Sequence, residues 1–128
     1  MNKKMRGYFK DSRPYLDLEI YGVNPESTQK FTARIDTGFD GYLTMPLTQA
    51  FALGLVLSGM QDYTVADERV ITNLVCLGNV KVEGKTVFTA IDLSNTGGII
   101  LIGNSLLREL GSVLKIDYKN EKIEISEK

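Results

Sequence analysis

The sequence predicts an all-β domain, a closed barrel with one or two short helices. Three observations carry that prediction. Short segments of alternating apolar and polar residues recur along the chain, turn signals separate them, and only two stretches carry helical start and stop signals. At 128 residues the chain reads as one domain, residues 1–128, long enough to bury a core without disulfides or metals.

Residues up to about 14 show no steady period and read as an irregular or weakly paired N-terminal arm (1–14). Residues 15–21 alternate cleanly. Leu16, Leu18 and Ile20 fall on one face and Asp17 and Glu19 on the other, as a half-buried antiparallel strand requires. Residues 22–29 contain Asn24-Pro25 and read as a loop. Residues 30–35 form the second strand, which ends at Asp36 and turns at Gly38; residues 42–45 leave that turn as a short strand. Pro46 and Gly54 bracket one or two helical turns, since proline suits a helix start and glycine a helix end.

From 60 to 77 two strands flank a polar tip, Ala66-Asp67-Glu68-Arg69, and predict a long hairpin that projects from the body. Residues 80–82 and 85–93 pair across Glu83-Gly84. After a loop over 94–98, the run 99–103 is apolar without alternation, the pattern of a strand buried on both faces. Asn104-Ser105 can cap a helix whose apolar face is Leu106, Leu107 and Leu110, and Gly111 stops it. Residues 113–118 and 122–126 close the chain as a hairpin, with 119–128 as a C-terminal extension.

The composition excludes several chemistries. A net charge of −1 offers no basic field for nucleic acid or an anionic membrane. No apolar run reaches the roughly 18 residues of a membrane helix, and Lys3-Lys4 is not followed by the apolar stretch of an export signal, so a soluble cytoplasmic protein is expected. The absence of histidine removes every Ser-His and Cys-His nucleophile pair and every His-ligated metal site. The single cysteine, Cys76, lies in the apolar run Leu74-Val75-Cys76-Leu77 and reads as a buried structural thiol. No glycine-rich phosphate loop is present. Carboxylates are the catalytic chemistry left to such a chain.

Asp36-Thr37-Gly38, preceded by Ile35, is the stretch that can supply it. The triplet alone is weak, since it arises by accident in roughly a few per cent of chains this long, and Asp and Gly are ordinary turn residues. Its context adds specificity: a strand, the triplet, a long hairpin, an apolar pair with glycine (Leu101-Ile102-Gly103) and a short helix follow in order. In that order the chain resembles the retropepsin-like aspartic proteases, in particular the bacterial single-domain members called predicted aspartyl proteases. The resemblance covers roughly residues 15 to 118.

The resemblance implies an acid-protease fold of one lobe, with Asp36 as the catalytic carboxylate and no metal or cofactor. Two such carboxylates are needed and the chain has one Asp-Thr-Gly, so the resemblance implies a homodimer with an Asp36 from each subunit at the two-fold axis. Thr37 would bury its hydroxyl against backbone across the dimer, and Gly38 would let an extended peptide substrate approach. Leu101, Ile102 and Gly103 would form the second signature, its glycine packed on the catalytic loop. Asp40 would hold substrate backbone, Phe39 would narrow a neighbouring subsite, and Ala66 and Asp67 would lie in the flap tip. The chain departs from the family in two places. Asn104 stands where an arginine pairs with the Asp40 carboxylate in well-known members, so that ion pair is either missing or remade by Arg108. The flap tip also lacks the glycine-rich apex. An idle protease-like dimerisation or peptide-binding module, with Asp36 present but not working, is the alternative these departures keep open.

Overall fold

The computed structural model describes residues 4–64, 66–94 and 98–127. Ten strands and two short helices follow one another: β1 (Lys4–Lys10), β2 (Arg13–Tyr21), β3 (Gln29–Ile35), β4 (Leu43–Pro46), α1 (Leu47–Ala50), β5 (Val56–Thr64), β6 (Val70–Val82), β7 (Lys85–Ser94), β8 (Ile100–Ile102), α2 (Asn104–Leu110), β9 (Val113–Asp117) and β10 (Lys122–Ser126). Single 3-10 turns lie at Pro25–Ser27 and Phe51–Leu53.

The strands run in the order β5-β6-β7-β4-β8-β3-β2-β1-β10-β9, and a further pairing joins β6 to β2. That pairing, Glu19↔Lys81 to Tyr21↔Asn79, closes β2, β3, β8, β4, β7 and β6 into a ring. Closure leaves no free edge within the ring. The alternation of β2 points Leu16, Leu18 and Ile20 inward, where they meet Ala33, Ile35, Val80, Val82, Ile91, Ile100 and Ile102. Leu106, Leu107 and Leu110, spaced to share one face of α2, seal one end of this core. Beyond the ring, β5 and the first half of β6 form the projecting hairpin, and β1, β10 and β9 continue the sheet from β2.

Three expectations need correction. Residues 4–10 are a strand, not an irregular arm: β1 pairs with β10 over Lys4–Gly7 and with β2 over Tyr8–Lys10. Met5, opposite Ile125 of β10, is buried, and Asp11 and Ser12 turn the chain with φ of 51° and 63°. Positive φ at both central residues is what a tight hairpin demands, and Asp-Ser is an uncommon way to supply it. Second, β6 runs unbroken through Gly78-Asn79, because Gly78 lies against Leu55 and Ile91 where any side chain would collide. Third, β8 is buried at Ile100 and Ile102, but Leu101 is half-buried and Ile99 exposed. Among the described residues, no helix is long and apolar enough to cross a membrane.

Candidate active site

Asp36 is the first residue beyond β3, and the sheet register dictates its surroundings. β8 lies between β3, which it meets in parallel (Ile35↔Ile102), and β4, which it meets antiparallel (Leu43↔Ile102). The Asp36 amide donates to the Ile102 carbonyl at 2.9 Å, so the strand-end backbone is fixed before the turn begins. Gly38 N–H then donates to Asp36 Oδ1 at 3.0 Å, and Phe39 N–H to the Asp36 carbonyl at 3.1 Å. One carboxylate oxygen is thereby tied to its own turn. The side chain is half-buried, while Thr37 and Gly38 are exposed in the single chain.

The loop is held from behind by the start of α2. The first amides of a helix have no partner within it, and here no side chain caps them. Backbone carbonyls of the loop do so instead: Asn104 N–H donates to the Phe39 carbonyl at 2.8 Å and Ser105 N–H to the Gly41 carbonyl at 3.1 Å. Gly103 N–H donates to the Tyr42 carbonyl at 3.0 Å. The side chains of the same two helical residues add to the grip. Asn104 Nδ2 donates to the Thr37 carbonyl at 2.7 Å, and Ser105 Oγ to the Asp40 carbonyl at 2.6 Å. The expected capping roles of Asn104 and Ser105 are therefore replaced by contacts to the loop, and Ser105 is a contributor that its sequence position did not announce.

Gly103 makes this contact possible. A Cβ there would run into the Gly41 carbonyl oxygen and come within 2.7 Å of the Phe39 carbonyl oxygen and the Phe39 ring. Only glycine lets helix and loop approach so closely. Leu101 and Ile102 deliver Gly103 to that position from within β8.

The remaining candidates divide. Phe39 is half-buried, with its ring against Gly103 and Gly41. Asp40 is exposed, and its Oδ1 lies 3.5 Å from Asn104 Nδ2, a long contact at best. Among the described residues no ion pair joins Asp40 to Arg108, which is exposed on α2, so of the two expected alternatives the pair is missing rather than remade. Ala66 and Asp67 lie in the turn between β5 and β6. Asp67 accepts from Arg69 N–H at 3.2 Å and from Arg69 Nε at 2.6 Å, so its carboxylate closes its own turn. Among the described residues no hydrogen bond or ion pair joins that tip to the loop at Asp36. The structure therefore brings together Asp36, Thr37, Gly38, Phe39, Asp40 and Gly103, while Ala66 and Asp67 make no hydrogen bond or ion pair to them among the described residues.

Solved structures share this arrangement of strands. The retropepsin-like aspartic protease from Rickettsia conorii is 18% identical, with a TM-score of 0.68 over 98% of this chain and 92% of that one. The fold is retropepsin-like. EIAV protease, complexed with the inhibitor HBY-793, is 16% identical, with a TM-score of 0.62 over 85% of this chain and 98% of its own. No family model and no curated protein matches the sequence. At these identities the retropepsin-like frame survives with few shared side chains, as expected when backbone register rather than particular core residues defines an architecture.

Proposed function

We propose that the chain is an aspartic endopeptidase active as a homodimer, hydrolysing peptide bonds in an extended segment with Asp36 from each subunit. One observation carries the reading: in a retropepsin-like fold, Asp36 stands at a strand end on a turn that β8 and α2 hold through backbone bonds. Rigid support of this kind suits a carboxylate that must be positioned rather than merely solvated.

The chemistry follows from two carboxylates sharing one proton. Like charges so close cannot both ionise, so the pair titrates in two separated steps. The ionised member takes a proton from water as the oxygen attacks the peptide carbonyl carbon. The protonated member gives its proton to the carbonyl oxygen, and a neutral tetrahedral diol results. Proton transfer to the amide nitrogen then releases the amine as the C–N bond breaks, and the second carboxyl recovers the proton that was given up. No redox partner is required. A lone Asp36 cannot fill both roles, so the single chain is inactive in this reading.

The decisive experiment digests a peptide library with the wild type and with Asp36→Asn, alongside a molar mass in solution. Cleavage by the dimeric wild type and none by the variant is the expected outcome. Turnover retained in Asp36→Asn removes the proposal. The self-contained Asp67–Arg69 turn and the lack of an ion pair at Asp40 among the described residues favour the second reading, an idle peptide-binding module. Dimerisation without cleavage of any peptide is its signature.

A further inference from the structure

We propose that Arg34 selects the substrate: its guanidinium binds the carboxylate of a Glu or Asp side chain next to the peptide bond that Asp36 attacks. The inference rests on the peptidase reading above and names its substrate class. Side chains of a strand alternate between its two faces. In β3, Ala33 and Ile35 point into the core, so Arg34 points the other way. Asp36 continues the ladder, since its amide still donates to the Ile102 carbonyl at 2.9 Å. Arg34 and Asp36 therefore share one face, two residues or about 7 Å apart along the strand.

The sheet neighbours of Arg34 wall a slot around it. The register sets Tyr15 of β2 on one side and Leu101 of β8 on the other, both half-buried. The guanidinium carbon lies 5.6 Å from the centroid of the Tyr15 ring, and Nη2 donates to the Tyr15 hydroxyl at 3.1 Å. The Tyr15 ring in turn stacks on Tyr8, with centroids 6.2 Å apart. The charge is thus placed before any ligand arrives, and little side-chain freedom is left to lose on binding.

What Arg34 lacks is an anion. Among the described residues no ion pair joins it to Asp17 or Asp36, the carboxylates on its face. Asp17 Oδ1 accepts instead from the Tyr8 hydroxyl at 2.6 Å and the Thr32 hydroxyl at 3.2 Å. Arg34 Nε is buried, and among the described residues it has no acceptor. A half-buried cation with donors left over is costly. Its planar fork matches a carboxylate, which can take two parallel N–H bonds from the terminal nitrogens and bring the missing charge. A neutral side chain in the same slot would exclude water from the cation and give nothing back.

The spacing suits an extended peptide. With the scissile carbonyl at Asp36, the side chain flanking that bond falls within reach of a guanidinium about 7 Å along the strand. The two-fold axis that pairs Asp36 in the proposed homodimer also supplies one Arg34 on each side of the bond.

Two matched peptide libraries test the assignment, with Glu or Gln fixed at the two central residues and the remainder randomised. The wild type should cleave the central bond of the Glu library at least about tenfold faster than that of the Gln library. Arg34→Met removes the charge and should bring this ratio to one or below. Arg34→Lys keeps a charge without the fork and should hold an intermediate ratio. Lys30→Met, on an exposed residue of the same face of β3, should keep the wild-type ratio. Calorimetric binding to Asp36→Asn repeats the comparison without turnover, and the same preference should vanish when Arg34→Met is added. A Glu preference that survives Arg34→Met overturns the inference. So does an equal loss on both libraries, which would make Arg34 a mere clamp on Tyr15. Cleavage with no preference for Glu sinks the role of Arg34 alone. Glu-selective binding without cleavage upholds Arg34 and sinks the peptidase reading, and a protein that neither cleaves nor discriminates in binding sinks both.

Discussion

Gly103→Ala is the sharpest perturbation this structure allows, because one methyl group must enter a space that does not exist. The added Cβ would meet the Gly41 carbonyl oxygen head-on and lie 2.7 Å from the Phe39 carbonyl oxygen. Both obstacles are backbone, so neither can rotate away. Relief requires α2 and the loop to separate, which stretches the Asn104 N–H to Phe39 and Ser105 N–H to Gly41 bonds, now 2.8 and 3.1 Å. Overpacking costs about 1–3 kcal/mol and each of the two weakened bonds about 0.5–1.5, so a loss of about 2–6 kcal/mol is expected. At this chain length that corresponds to a fall in melting temperature of about 6–30 °C. The Asp36 loop moves with the helix, so peptide cleavage should fall further than stability does. Thermal unfolding followed by circular dichroism, beside a peptidase assay on the folded fraction, separates the two effects. Gly59→Ala is the control, since its Cβ meets nothing within 4 Å and should change stability by less than about 0.5 kcal/mol. If Gly103→Ala melts with the wild type and cleaves at its rate, the close approach has no energetic meaning and the reasoning fails.

Three further expectations follow from single contacts. Asn104→Ala removes the donor to the Thr37 carbonyl at 2.7 Å; it should cost about 1 kcal/mol in denaturant unfolding and lower kcat/KM roughly 10- to 100-fold through a displaced loop. Thr89 is buried, and among the described residues its hydroxyl has no partner; Thr89→Val should therefore stabilise the fold by about 1 kcal/mol in the same assay. Burial, and next the hydrogen bond to Asp17 at 2.6 Å, push the Tyr8 hydroxyl above its ordinary range. Its folded-state pKa is raised, so its contribution is fully present below the unfolded value of about 10 and is lost as pH rises through the folded one. Melting temperature should decline over that alkaline window, and Tyr8→Phe should flatten the decline.

The legible parts of this fold are those decided within a few residues. Leu16, Leu18 and Ile20 announce β2 because a strand repeats every two residues, and the Glu83-Gly84 turn announces the β6–β7 hairpin because positive φ is required there. Ring closure through Ile20↔Val80 has no local signature, since the residues are sixty positions apart and each looks like any inward-facing aliphatic. β1 escaped for a related reason. Its period is blurred by Arg6, Gly7 and Lys10, and what makes it a strand is pairing with β10 at the far end of the chain, where Met5 is buried opposite Ile125.

At the site, Asp36 and Gly103 could be found from residue type, but the use of Asn104 and Ser105 could not. Locally they are good caps for a helix start, and in the fold that need is met by carbonyls of the loop, which frees their side chains to hold the loop in turn. The dependence runs both ways. The carbonyls of Phe39 and Gly41 have donors only if the helix begins at Asn104, and the first helical amides have acceptors only if the loop turns through Gly38 and Gly41. Unpaired, each half would leave several backbone groups unsatisfied at roughly 1–3 kcal/mol apiece. Loop and helix start are therefore expected to form and fail as one unit, and the Asp36 carboxylate inherits its fixed position from a helix nearly seventy residues away.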